Sequence, residues 1–77
     1  GDDGLVAISQ SPFFRNLRVL DLRSNGITRL GLKALGQSKN FQSLVKLDLR
    51  TNKLGKRWEE KLLETGNFPV LTDLKTF

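Results

Sequence analysis

Apolar residues change their spacing twice within every 27 positions of this chain. Leu20 and Leu22 stand two apart around Asp21, the spacing of a strand whose faces alternate. Leu47 and Leu49 stand the same way around Asp48, and a polar turn follows each pair, at Ser24-Asn25-Gly26 and Thr51-Asn52-Lys53. The spacing then becomes helical. Leu30, Ala34 and Leu35 fall at i, i+4 and i+5, and Trp58, Leu62 and Leu63 repeat that pattern, so these residues are expected on the inward sides of two helices, with Lys33 and Gln37 facing out. Upstream, Leu5, Val6 and Ile8 predict a helix over about residues 3–11, ending where Pro12 steers Ser11 away from helical backbone. Gly66 and Pro69 close the last helix similarly. The charged stretch Lys56 to Lys61 reads as the solvated side of that helix rather than as a linker.

The alternation is a repeat. Leu17, Leu20, Asp21, Leu22, Asn25 and Ile27 return as Leu44, Leu47, Asp48, Leu49, Asn52 and Leu54, and Leu71 and Leu74 open a third copy. The register extends upstream, pairing Gly4 with Gly31, Ala7 with Ala34, Ser11 with Ser38 and Phe14 with Phe41, which itself pairs with Phe68. The chain therefore divides into a partial unit 1–16, units 17–43 and 44–70, and a partial unit 71–77. A fixed period in this range marks a stacked array, in which each unit buries its apolar face against its neighbours. One domain, or a fragment of a longer array, is the expectation, and the lack of an initiator Met points to a piece of a larger protein. The molecule is expected to be a monomer or part of that larger chain.

Composition removes several kinds of chemistry. No Cys is present, so neither a disulfide nor a thiolate metal site is expected; this is compatible with the cytosol, the favoured compartment. No His is present either, which removes the commonest metal ligand and general base. No apolar run approaches the roughly 20 residues of a membrane helix, so no membrane partner is expected. Ser9, Ser11, Ser24, Ser38 and Ser43 have no activating base in view. Asp21 and Asp48 come close in this register, but beside arginines on an open face both should stay ionised. The chain is read as a non-enzyme without cofactor or metal.

Leu17 to Asn25 and Leu44 to Asn52 both fit LxxLxLxxN, and the continuation Gly26-Ile27, Gly31, Ala34-Leu35, Ser38, Phe41 accompanies them. This pattern resembles a leucine-rich repeat, and within that family the ribonuclease-inhibitor-like subclass. The resemblance implies an α/β solenoid: a short right-handed βα superhelix, with parallel strands on the concave face and helices on the convex face. Leucines at the first, fourth and sixth motif positions would then point inward, each contributing about 1.5–3 kcal/mol of burial. Asn25 and Asn52 would satisfy backbone groups where each strand turns away, their amides stacked in a ladder. Two departures stand out. Thr76 occupies a core-leucine position in the third copy, and Trp58 replaces the glycine seen at Gly4 and Gly31. Trp58 either covers the end of the core as a partial cap or packs against a neighbouring loop, and the sequence leaves open whether it does so with Phe77.

Solenoids hold partners, which makes protein–protein interaction the functional expectation. The residues between core leucines would face the partner: Val19, Asp21 and Arg23 on one strand, Lys46, Asp48 and Arg50 on the next, then Asp73 and Lys75. With neighbouring strands about 4.8 Å apart, Asp21 should stack near Asp48 and Arg23 near Arg50, with diagonal pairs such as Asp21 with Arg50 offsetting the repulsion. The partner is expected to be a protein with an acidic or mixed-charge surface. Two alternatives remain at this level: a basic nucleic-acid-binding surface, or a purely structural spacer within a longer array. The net charge of +5 permits the first, but its cations scatter over strands, turns and helices. Phe14, Phe41 and Phe68 sit at repeat-equivalent positions, which suits a core better than a base-stacking platform.

Overall fold

The computed structural model describes residues 1–76; Phe77, and with it any cap it forms with Trp58, lies outside the described residues. Helix α1 spans Asp2–Gln10, strand β1 Val19–Asp21, α2 Arg29–Gln37, β2 Lys46–Asp48, α3 Trp58–Leu63 and β3 Asp73–Lys75. The strands form one parallel sheet in the order β1-β2-β3. Val19 pairs with Lys46 and Lys46 with Asp73; Leu20 pairs with Leu47 and Leu47 with Leu74. A further parallel bridge joins Thr28 to Lys53 beyond the turns. Parallel neighbours need a crossover, and α2 and α3 supply it, packing α1 against α2 and α2 against α3 on the other side of the core. This is the α/β arrangement that the change of spacing predicts.

The motif leucines make the interior. Leu44 and Leu47 have no exposed surface and Leu49 is 1 % exposed, while Leu22, Ile27, Leu54 and Phe68 are buried with them. Leu17, Leu20, Leu71 and Leu74 are only partly buried, because they lie on the outer strands or just before them, where a neighbour covers one side only. Phe41 and Phe68 stack with ring centroids 6.0 Å apart and planes 11° from parallel, while Phe14 is half-buried.

The helices start one residue earlier, or turn further, than their apolar letters suggest. Helix α1 runs from Asp2 rather than residue 3 and stops at Gln10, with Ser11 as its C-terminal boundary. In α2 the inward side is Gly31, Leu32, Leu35 and Gly36; Leu30 is 74 % exposed and Ala34 only half-buried. Thr28 is the reason. Its hydroxyl accepts the Leu30 N–H as an N-cap, which fixes the helix start at Arg29 and turns the next residue, Leu30, outward. In α3, Trp58 and Leu62 face in, one turn apart, and Leu63 is half exposed. Thr76, the departure in the third copy, is half-buried at the end of β3.

The asparagine side chains make their hydrogen bonds to backbone groups, as expected where each strand turns away. Asn52 Nδ2 donates to the carbonyls of Leu22, Leu49 and Arg50, and its Oδ1 accepts the backbone N–H groups of Asn25 and Ile27. It bridges two turns of backbone with one side chain. The Asn25 side chain donates only to the Arg23 carbonyl among the described residues and stays exposed, because no strand pairs with β1 on that side. A second pair does the same work on the far side. Asn40 Nδ2 donates to the carbonyls of Ile8, Ser9 and Ser11, and Asn67 Nδ2 to that of Gly36, so each closes the C-terminal end of the preceding helix. These residues are also 27 apart, a signal that the sequence offers and the LxxLxLxxN motif does not include.

Asp2 explains where glycine is needed. Its carboxylate accepts the N–H groups of Thr28 and Gly31 and the Thr28 hydroxyl, closing the start of α2 from α1. A Cβ on Gly31 would lie 2.3 Å from Asp2 Oδ1. The residue 27 after Asp2 is Arg29, not an acid, so no carboxylate occupies the matching place at Trp58. The indole is buried there and joins the core cluster. Its helix starts without a side-chain cap, from Arg57 held at φ 57°.

Candidate functional site

The strand face carries its chemistry in one device used twice. Asp21 Oδ1 accepts the backbone N–H of Arg23, a local turn that directs both side chains the same way. The guanidinium then closes on the carboxylate, Nε at 3.0 and 3.1 Å and Nη2 at 2.8 Å. Asp48 and Arg50 repeat it, with the N–H at 3.2 Å, Nε at 3.0 and 3.2 Å, and Nη2 at 2.7 Å. Forked charge-assisted bonds of this kind are among the stronger polar contacts. Parallel pairing of Asp21 with Asp48 sets the two forks side by side.

The neighbours are linked by a diagonal ion pair, but not the expected one. Arg23 Nε lies 3.5 Å from Asp48 Oδ2, while no Asp21–Arg50 ion pair forms among the described residues. Asp48 thus receives both guanidinium groups and is 6 % exposed, not solvated as the sequence suggests. The stacked repulsion between the aspartates is offset by arginine placed between them. Hydrogen bonding from Arg23 holds the Asp21 carboxyl below its ordinary range, and hydrogen bonding from Arg50 does the same for Asp48 against its burial. In return, Asp21 raises the Arg23 guanidinium and Asp48 that of Arg50.

The remaining expected residues line up beside the forks. Val19 and Lys46 are exposed on β1 and β2. On β3, Asp73 takes Lys75 at 3.3 Å and Lys46 across the sheet at 3.8 Å. All eight candidate residues therefore share one face, with Arg50 and Asp73 half-buried and Asp48 beneath the arginines. Each fork leaves the Nη1 group of its arginine without a hydrogen bond among the described residues. A depression of about 630 Å³ opens there, lined by Asp21, Arg23, Arg50, Ser24 and Thr51.

Ser24 and Thr51 were not among the expected site residues. They stand at φ 53° and 59°, in the left-handed region that is unusual for serine and an outlier for a β-branched threonine. Their signal in the sequence is a small polar residue between Arg and Asn at the repeat spacing. Strain of this kind is a common feature of functional sites.

Among the described residues, no group of three or more Asp or Glu side chains could hold a metal ion, and no helix is long and apolar enough to cross a membrane. A family described as Leucine Rich repeats (2 copies) matches residues 15–57. No curated protein and no solved structure gives a significant match to the chain.

Proposed function

This chain belongs to the leucine-rich-repeat family, and on that premise we propose that it docks a partner protein on its strand face. Repeats of this family are non-enzymatic and generally mediate protein–protein interaction. The 27-residue period and the helices that follow β1 and β2 support the ribonuclease-inhibitor-like subclass. In this reading the strands line the concave side of a short right-handed solenoid and the helices its convex side.

The observation that carries the reading is the doubled Asp–Arg fork. Its arginines are fixed before any partner arrives, so little side-chain freedom is lost on binding. Each still offers outward N–H donors, and arginine is enriched where interface energy concentrates. The face holds four cations (Arg23, Lys46, Arg50 and Lys75) and three carboxylates (Asp21, Asp48 and Asp73). A partner surface of mixed charge complements it better than a uniformly acidic one. A phosphate backbone would meet a carboxylate beside each arginine, which disfavours nucleic acid on this face.

The test is binding of partners captured by the chain. The double variant Arg23→Ala with Arg50→Ala is expected to weaken a strand-face partner by at least about tenfold, with mild salt dependence. Full retention of every partner would end the site assignment. RNA or DNA binding that falls steeply with salt would replace this reading with phosphate recognition.

A further inference from the structure

The strand face does not hold the charge that dominates this chain. Its eight residues carry one net positive charge of the five, and the carboxylates there are all paired. Much of the rest borders a groove on the opposite side, between α2 and α3. Its floor is Leu32, Leu54 and Leu62, and its volume is about 320 Å³, the low end of the range for a pocket that takes a discrete ligand group. Gly36 keeps the helices close at one end, where an added Cβ would lie 3.2 Å from the Thr65 methyl. Arg29 and Lys33, one turn apart on α2, form one edge and Lys61 on α3 stands on the other. None of the three has an ion pair among the described residues, and no carboxylate lines the groove.

We propose that this groove is a second docking site, for an acidic peptide segment of a partner protein that places an aliphatic side chain between α2 and α3 and carboxylates against Arg29, Lys33 and Lys61. The apolar floor supplies burial, and the rim selects charge sign. An aliphatic side chain without nearby carboxylates would leave three cations unmatched, and a basic segment would be repelled. The site lies across the core from the Asp–Arg forks, so the chain could hold two partners at once, one on each side.

The experiment titrates the chain with a synthetic acidic peptide, leucines one helical turn apart among glutamates, and follows leucine methyl signals by NMR. Expected are shifts at Leu32, Leu54 and Leu62, and at least about a tenfold loss of affinity in Lys33→Glu with Lys61→Glu, both exposed positions whose circular dichroism should stay unchanged. Arg23→Ala with Arg50→Ala should bind as the parent chain does, which separates this site from the strand face. No binding, equal binding of the same peptide with lysine for glutamate, indifference to both charge reversals, or shifts confined to the strand face would each overturn the proposal.

Discussion

Asn52 Nδ2 lies 2.8 Å from the carbonyl oxygen of Leu22, thirty residues earlier in the chain. That contact, with the two N–H groups held by Oδ1, makes Asn52 the polar joint between two turns of backbone. Asn25 occupies the equivalent motif position with a single bond to Arg23. The two should therefore respond unequally. Asn52→Ala is expected to lower stability by about 2–4 kcal/mol, since each part-buried group left unpaired costs about 1–3 kcal/mol. Asn25→Ala should stay within about 1 kcal/mol of the parent. Urea unfolding of both variants checks this; equal losses would contradict the bridging role.

The left-handed residues give a prediction of opposite sign. Thr51 holds φ 59° with a branched side chain, and Ser24 holds φ 53° without one. Glycine relieves that strain but adds freedom to the unfolded chain, leaving a net gain of roughly 0.5–1 kcal/mol for Thr51→Gly and less for Ser24→Gly. Thermal unfolding should show a higher midpoint for Thr51→Gly. If Thr51 instead contributes through a contact, the midpoint will fall.

Acid should loosen the molecule through three carboxylates. Hydrogen bonds from the Thr28 side chain and from the Thr28 and Gly31 backbone lower Asp2, and arginine lowers Asp21 and Asp48. A lowered folded value means that the native state binds fewer protons than the unfolded chain in acid. This stabilisation is complete above about pH 5 and is lost as pH falls through the lowered values. Urea midpoints measured from neutral pH downward should drop below the ordinary carboxylate range. Asp48→Asn should flatten part of that slope, and a midpoint independent of pH would refute the assignment.

Asp2 and Gly31 should behave as one unit. Gly31→Ala puts a methyl where the Asp2 oxygen sits, so in the parent chain it must displace the carboxylate that closes α2. In an Asp2→Ala background the same change should cost less, because the carboxylate is gone and alanine is the better helix former, with only the close approach to Ile27 Cγ2 left at 3.1 Å. A double-mutant cycle reads the coupling, and simple additivity would show that the two do not communicate.

Core stacking is the simplest case. Phe41 has no exposed surface and lies flat on Phe68. Phe41→Ala should cost about 3–5 kcal/mol and Phe14→Ala less, because Phe14 is half-buried. Chemical denaturation distinguishes them.

The sequence made legible whatever repeats along the strand side. Leu20, Leu47 and Leu74 pair in one register, and strand alternation puts Val19, Asp21, Lys46, Asp48, Asp73 and Lys75 on one face, while Arg23 and Arg50, just past β1 and β2, are drawn onto it by the aspartates. Helix phase was less legible. Leu30 and Leu63 satisfy an apolar pattern, but the Thr28 cap and the Trp58–Leu62 pair decide which side turns inward. Burial of Asp48 was hidden because it depends on an arginine from the neighbouring strand reaching over it. Asp2 has no repeated counterpart, so periodicity carries no trace of its role, whereas Asn40 and Asn67 do repeat and could have been found.

Three asparagines reach back along the chain to carbonyls of an earlier turn. Asn40 serves the carbonyls of residues 8, 9 and 11, Asn52 that of Leu22, and Asn67 that of Gly36. Asp2 reaches the other way, its carboxylate accepting the later N–H groups of Thr28 and Gly31. Loss of one such asparagine side chain therefore frees backbone carbonyls one turn upstream, so that local damage is shared with the neighbour before it.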